Sequence, residues 1–249
     1  MATRQVLTEL AAEFEASTGQ RVALESVGGV DAAKRVAAGE RYDVVLLAAD
    51  AIDKLLAAGH LLSRHLQGGH PQGGHPQGGH LQGGHPQGGD ASAGGRVDLL
   101  RSPVSVAVQA GAPRPDISNE AALRQAVEAA PTLSFSTGPS GNYLAGLFQR
   151  WGLTEVLAPR LVVPPPGMPV ATLLANGKVA LGFQQLSELM NQPGVDVLGN
   201  LPEPVQYITT FSAALGLACT DTAAARHLLN FITAPSAAAT VRRHGMQTV

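Results

Sequence analysis

The sequence predicts an α/β protein with mostly parallel sheets. Three observations carry that reading. Short apolar runs rich in Val and Leu alternate with amphipathic stretches, Gly or Pro punctuates most junctions, and the connections are short. With 249 residues, 45% of them hydrophobic, the chain can form one large core or two lobes of ordinary size.

The elements follow in order. Over 3–18, Val6, Leu7, Leu10, Ala11 and Phe14 recur at helical spacing, with Glu9, Glu13 and Glu15 on the other side and Gly19 as C-cap. Residues 21–26 read as a short strand leading into Gly28-Gly29. Asp31 opens a helix that Gly39 stops. Val44-Val45-Leu46-Leu47 has the continuous apolar character of a buried parallel strand, and 51–58 is a helix closed by Gly59. A doubly wound sheet normally begins with a strand, yet none precedes the first helix.

Residues 63–95 differ in kind. A unit begun by His65, His70, His75, His80 and His85 repeats every five residues, a period that suits neither helix nor strand. Its Gly-Gly pairs and Pro71, Pro76 and Pro86 oppose both, so the expectation is a disordered low-complexity insert. Beyond it, strands are expected at 104–108, 132–136, 161–163, 179–183, 195–198 and 205–211. Helices are expected at 120–130, from Asn142 to Trp151, and at 170–175, 185–190, 223–233 and 236–244.

Composition excludes several classes. Charged residues are only 14% and the net charge is −2, with no basic stripe, so no nucleic-acid partner is expected. No apolar run approaches the ~20 residues that span a bilayer. The single cysteine, Cys219, forbids an intrachain disulfide and a cysteine-based zinc site, and its apolar surroundings read as a small buried hydrophobe. Outside the repeat the histidines are His60, His227 and His244, all in or at the ends of expected helices, and read as surface residues. Imidazoles on a Gly-rich tether bind metals weakly without fixed geometry, so neither metal nor cofactor is assigned.

In open α/β sheets ligands sit beyond the carboxyl ends of strands, where helix N-termini offer unpaired N–H groups and partial positive charge. Two loops fit: Ser26-Val27-Gly28-Gly29-Val30-Asp31, and Ser136-Thr137-Gly138-Pro139-Ser140-Gly141. Ser26, Gly28, Gly29 and Val30 from the first, and Thr137, Gly138 and Ser140 from the second, are candidate ligand contacts. The same segments also read as Gly-rich turns and caps. Neither has the spacing of a phosphate loop or a serine nucleophile elbow. Arg101, followed by Ser102, can pair with an oxyanion or carboxylate from the start of a strand, or serve as a structural arginine. Gln184, at a strand end beside Gln185, can orient a polar ligand.

The motif order adds a resemblance. Leu7 to Gly19, Arg35 to Leu47, Val179 to Leu189 and Pro235 to Met246 together resemble the molybdate-binding-protein-like branch of type II periplasmic solute-binding proteins, over nearly the whole chain outside 63–95. The resemblance implies two α/β lobes joined by crossover strands, residues 1–102 with 207–249 forming one and 103–206 the other. It implies a monomer outside the cytoplasm that closes on a small anionic ligand and serves the membrane components of an ABC transporter. Its second and third anion loops fall on Gly28 to Val30 and on Thr137 to Ser140. Its first loop falls before Met1, so a truncated or misassigned start, lacking a first strand and a signal peptide, is expected. Where that branch often has Tyr this chain has Gln184, which moves the expected ligand from molybdate towards an organic carboxylate. Some members of the branch resemble aconitate isomerase, which leaves an enzyme acting on a tricarboxylate as the alternative.

Overall fold

A computed structural model describes residues 2–63, 95–165 and 167–249. The histidine repeat lies outside the described residues. Lobe 1 begins with helices α1 (Arg4–Thr18) and α2 (Gly29–Ala37), strand β1 (Val44–Ala48) and helix α3 (Ala49–Ala57). The 13-residue strand β2 (Val97–Gln109) then leads into lobe 2. Lobe 2 holds α4 (Glu120–Ala129), β3 (Leu133–Phe135), α5 (Pro139–Arg150), α6 (Thr154–Leu157), α7 (Val170–Ala175), β4 (Leu181–Gln185), α8 (Leu186–Leu189) and β5 (Val195–Asn200). The chain returns through β6 (Ile208–Leu215) to α9 (Thr222–Thr233), α10 (Ala238–Arg243) and β7 (Gln247–Thr248).

Strand β2 belongs to both lobes. Its first half, Val97 to Pro103, pairs with β6, and Leu100 and Arg101 also pair with β7. Its second half, from Val104, pairs with β4 and β5. At the crossing Val104 N–H donates to Tyr207 O (2.9 Å) and Leu201 N–H to Val104 O (3.0 Å). A continuous strand carrying the chain between lobes is a narrow joint, because few backbone bonds need to change when the lobes rotate.

Each lobe has its own core. In lobe 1, Val6, Leu10, Leu99, Leu100, Leu229, Ile232 and Val241 pack α1, α9 and α10 on the sheet, while Val45, Leu47, Ile52 and Leu55 form a second cluster beneath α3. In lobe 2, Leu123, Val127, Leu133, Leu144, Leu147, Phe148 and Phe183 join α4 and α5 to one sheet face. The opposite face packs Val170, Leu174, Val179 and Leu189. Gly182 permits that second contact: a Cβ there would lie 2.7 Å from Leu174 Cδ1 and 2.8 Å from Val170 Cγ1.

The α/β class and the two lobes agree with the expectation, but the share of parallel pairing is smaller. Among the described residues the one parallel ladder joins β3 and β4 (Phe135 opposite Phe183), beside a parallel bridge of Leu133 and Leu161, while the ladders of β1, β2, β5, β6 and β7 are antiparallel. The returning strand β6 causes part of this, since it runs against both β1 and β2. Residues 21–26 are not a strand: they run extended without a ladder among the described residues. Val22, Leu24 and Ser26 still face α1 at strand spacing, lining a groove of roughly 330 Å³ with Arg4, Thr8 and Glu15. The 161–163 strand shrinks to a bridge between Leu161 and Leu133 ahead of the prolines, and 205–211 becomes a 3₁₀ turn at Glu203–Val205 followed by β6. Cys219 is half-buried in the turn after β6, not in the core. Burial, with Asp43 and Asp221 nearby, pushes its thiol pKa up, which disfavours the nucleophilic thiolate.

Candidate functional site

The strand directions bring several loops to the joint between the lobes. In lobe 1, β1 runs so that its last residue, Ala48, lies opposite Phe211, nearer the crossing than Val44 opposite Leu215. Helix α3 therefore starts at the inter-lobe side. In lobe 2, β4 ends with Gln185 opposite Val104, next to the crossing, and its parallel neighbour β3 ends beside it. Helices α5 and α8 start there.

Tyr207 sits between these starts. Its ring stacks on Tyr143 of α5, centroids 4.7 Å apart. Burial raises its hydroxyl pKa, with a smaller contribution from the Asp50 carboxylate in the first turn of α3. Tyr143 donates its hydroxyl proton to Val205 O (2.9 Å), and Arg150 lies 5.8 Å from the Tyr143 ring centroid. The aromatic pair thus ties α5 of lobe 2 to the strand returning to lobe 1, with the Asp50 charge of α3 bearing on it.

The loop between β3 and α5 is tightly wound. Gly138 is the N-cap and Pro139 occupies the first turn, where its missing N–H costs nothing. Ser140 is buried with its Oγ 2.9 Å from Ser136 Oγ, while Thr137 is exposed. A Cβ on Gly141 would fall 1.6 Å from Ser136 O, so this turn needs glycine for close approach. Thr137 and the start of α5 remain open to a ligand; Ser140 is already paired.

The Gln184–Gln185 pair divides its work. Both side chains are buried. Gln184 Oε1 accepts from Ala171 N–H in α7 (3.3 Å), and Gln185 Nε2 donates to Thr209 Oγ1 of lobe 1 (2.5 Å). Gln185 Oε1 is buried with no hydrogen-bond partner among the described residues. Ser102 is fully buried at the crossing, its Oγ 3.4 Å from Ser187 Oγ in α8. Arg101, on the opposite face of the strand, is exposed, and its side chain makes no hydrogen bond or ion pair with a described residue. Gly28 is the N-cap of α2, and Gly29 and Val30 in its first turn are exposed. Ser26 turns towards α1 and lines the groove there.

Sequence reasoning missed Glu188. It lies in α8, one turn past Gln184, whose side chain hydrogen-bonds its carboxylate. Protein crowds it from most sides although it keeps some contact with solvent, and the resulting desolvation raises its pKa, opposed in part by the positive charge of the N-terminal amino group and then by the Gln184 bond. Nothing in the local pattern marks it, since an acid in the first turn of a helix is ordinary.

No described histidine joins this group. His60 is half-buried beyond α3, and the exposed His227 pairs with Gln20. His244 is not a surface residue: its side chain is 17% exposed and sits 2.6 Å from Glu9 Oε2. Among the described residues no cluster of three His, Cys, Asp or Glu side chains could hold a metal, and no helix is long and apolar enough to cross a membrane.

Comparisons with known proteins agree with this architecture. The family model described as bacterial extracellular solute-binding protein matches residues 1–247. A curated relative from a Pseudomonas species, aconitate isomerase, is 33% identical over 98% of this chain and 83% of its own length. Among solved structures, the periplasmic molybdate-binding protein of Azotobacter vinelandii superposes with a TM-score of 0.70 at 18% identity, covering 100% of this chain and 95% of that one. The sulfate-binding protein of Mycobacterium tuberculosis gives 0.69 at 17% identity over 98% and 83%. PEB3 of Campylobacter jejuni, solved with L-phospholactate, gives 0.67 at 11% identity over 99% and 96%. With the family model spanning nearly its whole length, the chain belongs to the bacterial extracellular solute-binding proteins.

Proposed function

We propose that this protein captures a small organic carboxylate, or a related oxyanion, between its lobes outside the cytoplasm and delivers it to an ABC-type transporter as a monomer. The observation that carries the reading is that strand-to-helix turns from each lobe, before α3 and before α5, start on the side of the lobe joint, where Tyr143 of α5 stacks on Tyr207. Backbone N–H groups at such turns favour anions without needing a dedicated cation. Gly28, Gly29 and Val30 at the start of α2, and Thr137 and Gly138 at the start of α5, are the proposed backbone contacts. Arg101 supplies a guanidinium that pairs with no described residue, and Ser26, Ser102, Ser140 and Gln184 shape the polar surroundings.

The buried amides of Gln184 and Gln185 favour a carboxylate over molybdate, because an organic acid carries hydroxyl and carbonyl groups that an amide can orient. Calorimetry against molybdate, sulfate, citrate and trans-aconitate tests the reading. Saturable one-to-one binding of a carboxylate is expected, and no saturable binding of any of the four rules it out.

A second reading, an isomerase acting on an unsaturated tricarboxylate, is favoured by the aconitate isomerase relative, which matches nearly the whole chain. Following trans-aconitate absorbance over time separates the two, because a pure binding protein leaves it unchanged.

A further inference from the structure

We propose that the Gln185 amide selects the ligand by accepting a hydrogen bond from a hydroxyl group, so that the preferred carboxylate is a hydroxy acid. The inference rests on the carboxylate-binding reading and narrows it to one chemical class. Side chains alternate along β4. Leu181 and Phe183 pack with α4 and α5 on one face, whereas Gln184 reaches α7 on the other through the Ala171 N–H. Gln185 therefore points to the α5 side, and Gln184 does not.

The pairing register brings Gln185 to the ligand-facing turn. The parallel ladder closes with Phe135 beside Phe183. Two residues further on stand Thr137 in one chain and Gln185 in the other, so the strand end lies level with the turn into α5. On the other side Gln185 lies opposite Val104 at the crossing, and its Nε2 donates to Thr209 Oγ1 of lobe 1 (2.5 Å). Thr209 is in turn opposite Ser102. The amide is thus fixed at the joint by groups from both lobes.

Its oxygen discriminates between ligands. Gln185 is 4% exposed, and Oε1 has no hydrogen-bond partner among the described residues. The nearby hydroxyls are engaged: Thr209 takes the Nε2 proton, Ser102 faces Ser187, and Ser140 faces Ser136. A buried acceptor left unserved is costly, so a ligand that donates to it gains affinity. Fully ionised sulfate or molybdate carries no donor and sets negative oxygens against the amide oxygen, and a carboxylate without a hydroxyl has the same defect. A hydroxy acid divides its groups between two parts of the site. Its carboxylate takes backbone N–H groups at the start of α5, and its hydroxyl gives its proton to Gln185 Oε1. One open acceptor matches the single donor of a hydroxyl, whereas an ammonium group carries three.

Compounds that differ by one hydroxyl test this: citrate against tricarballylate, and malate against succinate, with aspartate as the ammonium counterpart of malate. Calorimetry is run on the full chain and on its Gln185→Met variant, which keeps the side-chain length without the amide. Wild type is expected to favour the hydroxyl-bearing member of a pair by at least about tenfold, as a site built to hydrogen-bond a hydroxyl does. Gln185→Met is expected to bind both members within a few-fold of each other. Thr209→Val, which removes the Nε2 anchor at nearly constant shape, is expected to reduce the preference. Thermal unfolding reports whether each variant folds, and if Gln185→Met does not, an undiminished preference in Thr209→Val overturns the proposal. Equal affinities within the pairs in wild type, a preference for aspartate over malate, or a preference that survives in folded Gln185→Met also overturns it and leaves the carboxylate reading standing. Saturable binding of none of the five compounds removes that reading as well.

Discussion

At the residue scale, the turn into α5 depends on a hydrogen atom. Ser136 O lies where the Cβ of any other residue at 141 would be, 1.6 Å away, and the obstacle is backbone, which cannot swing aside. Gly141→Ala is therefore expected to destabilise the protein by about 1–3 kcal/mol, the usual cost of forced overpacking, and to weaken ligand binding by displacing Thr137 and Gly138. Urea denaturation reads the first effect and calorimetry the second. An unchanged midpoint would show that the loop relaxes freely and that its tight winding is not needed. Glu188 is the complementary case. Its type and its position in a helical turn are unremarkable in sequence, and only folding brings Gln184 to it and surrounds it.

At the element scale, α1 is fastened to α10 by its acidic face. Glu9 accepts from Arg243 (2.5 Å) and lies 2.6 Å from His244 Nε2, while Glu13 accepts from Thr240 Oγ1 (2.8 Å). The hydrogen bonds from His244 and then Arg243 hold the Glu9 carboxyl below its ordinary pKa. A pKa lowered by folding contributes stability that is present above the unfolded value and is lost as pH falls through the folded one. The thermal midpoint is thus expected to drop on acidification below the ordinary carboxylate range, and Glu9→Gln is expected to reduce that dependence. Equal pH slopes in the two proteins would exclude the pair as a contributor. The helix itself was legible from its 3.6-residue period, because Val6, Leu10 and Phe14 are its buried residues. Its clasp was not, because it joins residues more than 200 positions apart. The 21–26 segment failed in the opposite sense: alternation puts Val22, Leu24 and Ser26 on one side, yet a strand needs a partner backbone, and the described residues provide none. Its amides from Ala23 to Val27 have no backbone hydrogen bond to a described residue, so hydrogen exchange there is expected to be fast while Val106 and Val108 of β2 stay protected. Slow exchange at 23–27 would require a partner strand.

At the scale of the whole molecule, the two lobes are separate cores joined by little. Besides the strand crossing at Val104, the links include Gln185 to Thr209, Ser102 to Ser187, and Gly245 against Leu186 and Met190. The motif order along the chain foretold two lobes, since each lobe's strands and helices mostly follow one another in sequence. Where the lobes face one another depends on the direction in which β1, β3 and β4 end, which follows from pairing and is not written locally. A joint this narrow can bend at small cost, and a ligand that touches both lobes selects the closed arrangement. A carboxylate at a hundred times its dissociation constant adds about 2.7 kcal/mol to stability by mass action, which for a protein of this size corresponds to a rise on the order of 5–10 °C in the unfolding midpoint. The radius of gyration from small-angle scattering is expected to fall in the same titration. A higher midpoint with an unchanged radius would mean that the ligand binds within one lobe, and the turns before α3 and α5 would then not act together.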